Sequence, residues 1–94
     1  MPTEMFNPAH PGRILRSALE GVNLTHFAKH IGVSRVTLSK VLNCRGGVSA
    51  EMSLRLSAAL GTHPSLWFEI QGDYDFAQAK RKKLPKIQLF SKAA

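Results

Sequence analysis

The stretch LTHFAKHIGVSRVTLSKVLN, residues 24–43, decides the fold. Phe27, Ala28 and Ile31 recur at helical spacing, Gly32 lets the chain turn without a side chain in the way, and Ser34 suits the cap of a following helix. In that second helix Leu38, Val41 and Leu42 fall on one arc at positions i, i+3 and i+4. Arg35, Val36, Ser39, Lys40 and Asn43 fall on the opposite arc, with Thr37 at the margin. Two short helices, a tight turn and one polar outer side are the layout that lays a helix into the major groove of DNA. The outer side carries two cations, a valine and no acid, whereas a merely solvated helix more often alternates charges of both signs. Arg35 can grip a guanine edge with two hydrogen bonds, Val36 can lie against a thymine methyl, and Lys40 can reach a base or a phosphate. The plainer alternative is a small helical bundle with an ordinary polar surface.

The flanking segments supply companions for this pair. Upstream, Pro11 suits a first helical turn, Ile14, Leu15, Ala18 and Leu19 form an apolar stripe, and Gly21 is expected to stop the helix. Asn23 can cap the next one. Downstream, Gly46 and Gly47 signal a turn, Ser49 reads as a cap and Glu51 sits where the helix dipole favours an acid. Met52, Leu56, Ala59 and Leu60 are the expected buried stripe, ended by Gly61. A fifth helix is expected from about residue 65 to 82, with Leu66, Trp67, Ile70, Tyr74 and Ala77 along one side. Gly72 interrupts it at a cost of about 1 kcal/mol relative to alanine, which predicts a bend or compensating tertiary contacts. Trp67, Phe68, Tyr74 and Phe76 are more aromatic surface than one small helix needs. Either they close the core or part of the helix packs on a twin, with Trp67, Ile70, Tyr74 and Phe76 as the candidates for that contact.

The chain has 94 residues, 44% hydrophobic and 20% charged, and so reads as one globular domain small enough to gain burial from a second copy. Leu, Ala and Lys outweigh the β-branched strand formers, and the fold class is all-α. Residues 1–9 read as an N-terminal extension, 10–82 as the helical domain and 83–94 as a basic tail. The net charge of +7 is uneven: +4 over residues 1–45, −3 over 46–79 and +6 over 80–94. A basic reading half suits a polyanion, while the acids around Glu69, Asp73 and Asp75 either attract a basic partner or are simply solvated. The tail, KRKKLPKIQLFSKAA, frays in isolation unless it pairs as an extended strand or orders on a partner. No apolar run approaches the roughly 20 residues that span a bilayer, and the first residues lack the order of a signal peptide. The single Cys44 fits a reducing compartment, so the expected location is the cytoplasm.

No constellation suited to catalysis emerges. His26 and His30 lie four apart on a helix, but no third ligand follows at metal spacing, and Cys44 has no paired base in the local sequence. Neither a metal nor another cofactor is expected, and the chain reads as no enzyme.

Three further motifs narrow the reading: His10-Pro11-Gly12 before the first helix, Ser34-Arg35-Val36-Thr37-Leu38-Ser39 with Leu42-Asn43, and Met52-Ser53-Leu54-Arg55-Leu56 leading to Ala59-Leu60-Gly61-Thr62, Pro64 and Trp67. Together, over residues 8 to about 80, they resemble the HigA or VapI type of bacterial antitoxin within the phage-repressor-like helix-turn-helix superfamily. The resemblance implies a five-helix bundle, a homodimer on a palindromic operator of its own operon, and neutralisation of a HigB-type toxin that cleaves messenger RNA on the ribosome. It implies base reading by Ser34, Arg35, Val36, Thr37, Ser39 and Lys40, and phosphate contacts by Asn43, Arg45 and the first turn of the preceding helix. This chain departs from the pattern at Leu24, where the family commonly has a phosphate-binding glutamine. It departs again at Cys44, where a glycine is usual: either Gly46 or Gly47 takes over the turn, or Cys44 is strained. A stand-alone repressor without a toxin and a helix-turn-helix used purely to bind proteins are the alternatives.

Overall fold

The computed structural model of the chain describes residues 7–92; residues 1–6 of the expected extension and 93–94 of the tail lie outside it. Five helices follow one another: α1 Pro11–Ala18, α2 Leu24–Ile31, α3 Arg35–Leu42, α4 Ala50–Leu60 and α5 Leu66–Arg81. Among the described residues there is no strand, and no helix is long and apolar enough to cross a membrane. The expected all-α, five-helix bundle is the observed fold.

Side-chain caps set most of the boundaries. Asn23, Ser34 and Ser49 accept hydrogen bonds from the backbone N–H groups of His26, Thr37 and Met52 at 2.9, 3.0 and 3.1 Å, each occupying a donor that the helix start leaves orphaned. Leu15, Leu19, Phe27, Ala28, Ile31, Leu38, Val41, Leu42, Val48, Met52, Leu56 and Trp67 form one core. Around it α1 packs on α3 and α5, α2 on α3 and α4, and α4 on α5.

Two stripes differ from expectation. α1 ends at Ala18, before Gly21, and it turns Ile14 and Ala18 outward while Pro11, Gly12 and Leu15 are buried. The cause is Gly12: a Cβ there would stand 1.9 Å from the Val41 carbonyl oxygen, so this face of α1 lies directly on the α3 backbone. In α4 Ala59 is exposed and Leu60 half-buried, and Ser53 and Ser57 are buried in their place. Their hydroxyls donate to the carbonyls of Pro64 at 2.7 Å and His63 at 2.8 Å, which fastens the turn into α5.

α5 is continuous through Gly72, and a Cβ added there would meet nothing within 4 Å. Trp67, expected as a possible contact with a twin, belongs instead to the core: it is 4% exposed, with its indole N–H donating to Thr62 Oγ1 at 3.1 Å. Ile70 is half-buried against the same core, and Tyr74 stands edge-on to His10 with ring centroids 4.9 Å apart. Of the four candidates only Phe76 keeps most of its surface open, and Phe68, four residues short of Gly72, joins it.

Candidate nucleic-acid interface

The outer face of α3 is built from its cap onward. Ser34 Oγ accepts from Thr37 N–H and donates to Thr37 Oγ1 at 2.8 Å, so the two hydroxyls expected to read bases are tied to each other at the start of the helix. Arg35, Val36, Thr37 and Lys40 are exposed and Ser39 is half-buried, with the Arg35 guanidinium donating to the Ser39 hydroxyl. Val36 is 64% exposed, an apolar contact point held in water among cations. Leu38, Val41 and Leu42 point into the core and fix the rotation of the helix. No described carboxylate pairs with Arg35, Lys40 or Arg45, which leaves their charge for an anionic partner.

The far end of α3 turns sharply. The N–H groups of Arg45 and Gly46 both donate to the Lys40 carbonyl, at 2.8 and 3.1 Å. Cys44 itself takes the left-handed conformation, with φ of 59°, so neither Gly46 nor Gly47 relieves it. Asn43 and Arg45 are exposed on this turn, as phosphate contacts require. Asn43 is also held from behind: its Oδ1 accepts from Arg16 Nη2 at 2.5 Å, which directs its amide N–H groups outward and adds a cation from α1 to the same edge. At the start of α2, Leu24 is half-buried against the core, so its side chain is apolar packing at the place of the usual phosphate-binding glutamine.

Several residues that hold this face in place were not singled out by pattern. His10 Nδ1 accepts from Gly12 N–H at 2.9 Å and caps α1, and the ring lies beside the Gly46 backbone in the turn after α3. Burial holds its pKa below the ordinary imidazole value, opposed by nearby Asp75 and by the Gly46 backbone. The accepting Nδ1 requires the proton to sit on Nε2. Gln71 reaches from α5 to the same loop, with Oε1 accepting from Val48 N–H and Nε2 donating to Asp75 Oδ1, both at 2.9 Å. Arg55, paired with Glu51 at 2.8 Å, donates from Nη1 to the Ile31 carbonyl at 2.7 Å and so closes the end of α2 beside Gly32. The buried polar positions of Gln71 and His10 carry no periodic signal, although the His10-Pro11-Gly12 motif marks the second of them.

The helix-turn-helix family model matches residues 15–67. The chain is 36% identical over 91 residues to virulence-associated protein A' of Dichelobacter nodosus, covering 94% of this chain and 79% of that protein. It is 34% identical over 79 residues to antitoxin HigA-1 of Vibrio cholerae, covering 80% and 73%. The solved structure of Pseudomonas aeruginosa antitoxin HigA with the higBA promoter superposes with a TM-score of 0.74 at 32% identity, over 78% of this chain and 83% of that one. Among the described residues no three His, Cys, Asp or Glu side chains gather as a group that could hold a metal ion. The chain belongs to the helix-turn-helix family of DNA-binding proteins, in the branch that contains the HigA antitoxins.

Proposed function

We propose that this chain is the DNA-binding antitoxin of a toxin–antitoxin pair: a cytoplasmic homodimer that represses its own operon at a palindromic operator and neutralises a HigB-type, RNA-cleaving toxin. The observation that carries the DNA half is the outer face of α3, where Arg35, Val36 and Lys40 stand exposed beside Asn43 and Arg45 with no described acid among them. In this reading Arg35, Val36, Lys40, Ser39 and the Ser34–Thr37 hydroxyl pair face base edges, while Asn43, Arg16 and Arg45 hold phosphates. Two copies related by a twofold place their α3 helices about 34 to 36 Å apart, one turn of duplex. The toxin half is supported by the likeness to HigA-1 across most of both chains.

The test is a titration of the full chain on duplex from its own upstream region. Affinity should fall about a thousandfold or more between 50 and 200 mM salt if six or more phosphates are contacted. Arg35→Ala should cost about 1 to 3 kcal/mol on that duplex and relax one base position while leaving binding to random DNA nearly unchanged. Equal loss on both duplexes would remove base reading from Arg35. No duplex binding at all would leave a protein-interaction module. Co-purification of a small basic ribonuclease from the adjacent reading frame tests the toxin, and its absence would leave a stand-alone repressor.

A further inference from the structure

The tail after α5 is difficult to understand as a spacer. Leu84, Ile87, Leu89 and Phe90 are four large apolar side chains within seven residues, and Ile87, Leu89 and Phe90 are 83%, 100% and 91% exposed. A segment that served only to hold a polyanion would need the lysines alone. A second apolar surface lies unfilled elsewhere on the same chain: a groove of about 170 Å³ between α4 and α5, lined by Ala50, Ser53, Leu54, Pro64, Ser65 and Phe68, with Leu54 and Phe68 about half-exposed. Next in sequence to the lining residues Ala50 and Phe68 stand the exposed acids Glu51, which also pairs with Arg55, and Glu69, and the tail carries Lys82, Lys83 and Lys86. Apolar surface and charge therefore match between the two.

α5 says which copy brings them together. Phe68, Gly72 and Phe76 stand four residues apart, so they form one exposed stripe along the helix, with open space at the glycine. A twofold axis crossing α5 at Gly72 sets each Phe68 against the other copy's Phe76 and lets the two backbones approach where no Cβ intervenes. The charge gradient of the helix selects the antiparallel sense: Glu69 lies in its first turn and Lys80 and Arg81 in its last, so antiparallel helices meet acid to base and parallel ones like to like. In that arrangement the end of one α5 arrives beside the start of the other, where the groove at Pro64, Ser65 and Phe68 opens. To reach its own groove, the tail would have to reverse and travel back about 20 Å along its own helix.

We propose that residues 84–90 of one copy dock in the α4–α5 groove of a second copy, so that the dimer is closed by reciprocal exchange of tails. This rests on the homodimer reading above and assigns the tail a role that neither the helix-turn-helix nor its likeness to relatives requires. Pro85 suits the exchange, since it favours extended backbone and forbids continuation of α5.

Two full-length proteins, both with Cys44→Gly, test it: one carries Leu54→Cys, the other Leu89→Cys. They are mixed and treated with a short bis-maleimide, and sedimentation is measured in parallel. A linked heterodimer forming at least tenfold faster than in a control mixture with Ala18→Cys in place of Leu54→Cys is the expected result. A dimer by sedimentation with linkage no faster than the control would overturn the exchange and leave the dimer standing; a monomer would overturn both. In a chain carrying Leu54→Cys and Leu89→Cys together, linkage within the chain that is independent of concentration would place the tail in its own groove and overturn the proposal. Replacing Ile87, Leu89 and Phe90 with serine should weaken self-association by about a hundredfold or more. Unchanged self-association, with lost duplex affinity when Lys82, Lys83 and Lys86 become alanine, would give the tail to nucleic acid instead.

Discussion

Gly12→Ala separates local propensity from tertiary packing, because the two forecast opposite signs. In an open helix the change should stabilise by up to about 1 kcal/mol. Here the new Cβ would stand 1.9 Å from the Val41 carbonyl oxygen, 3.0 Å from its carbon and 3.1 Å from His10 Nδ1. Reaching even a tight separation of 3.0 Å from the oxygen requires α1 and α3 to part by about 1 Å, and both contacting groups are helical backbone rather than the ends of flexible side chains. Overpacking of this kind costs about 3 kcal/mol, and disturbing the His10 cap adds up to about 2 kcal/mol more. At 4 to 8 °C per kcal/mol, the melting midpoint should fall by about 12 °C or more. Circular dichroism melts at one fixed chain concentration would show it, since the proposed dimerisation would make the midpoint depend on concentration. Because α3 carries the proposed reading face, operator affinity should drop while the secondary structure of the cold protein persists. A midpoint within about 2 °C of the parent would refute the claim that these two backbones are in contact.

Cys44→Gly should act the other way, raising stability by about 1 kcal/mol, because the left-handed backbone at φ 59° is strained for a residue with a Cβ; an unchanged urea midpoint would mean that the turn relaxes around cysteine at no cost. Stability should also depend on pH through His10. Its folded pKa is lowered by burial, so the unfolded chain binds the proton first: stability is fully present above about pH 6.5 and declines as the pH falls toward the folded value. Protonation of Nδ1 would also cost the Gly12 cap. His10→Asn keeps a capping acceptor and should flatten that part of the profile; an identical slope in the variant would assign the dependence to other groups.

How much of this was legible depends on whether a residue's role is periodic. The inward arcs of α2 and α3, the caps at Asn23, Ser34 and Ser49 and the outward set Arg35, Val36 and Lys40 all follow from spacing along one helix, and the structure places them as spacing requires. The errors lie where a second element overrides the period. Gly12 rotates α1 so that Ile14 faces water, and Ser53 and Ser57 take buried positions in α4 because the turn at His63 and Pro64 offers carbonyls that need donors. Trp67 went to the core because Thr62 accepts its indole N–H inside the same chain. A pattern reports which face is apolar; it does not report which polar atoms must be satisfied across the gap.

The same distinction governs the reading face. Its proposed chemistry is carried by exposed side chains on α3, but its pose is set by atoms outside that proposed contact: the Gly12 approach to Val41, His10 beside the Gly46 backbone and Gln71 on Val48. These contacts join α1, α5 and the loop after α3 to one short helix of eight residues, which could not hold a fixed orientation alone. A shift of about 1 Å at the base of α3 therefore reaches every side chain proposed to read bases at once, and geometry of that quality is what bidentate recognition demands. Substitutions at Gly12 or Gln71 should consequently lower specific and random DNA binding together. Loss at Arg35 should be confined to its own base position, and the ratio of the two affinities tells a misplaced helix from a missing contact.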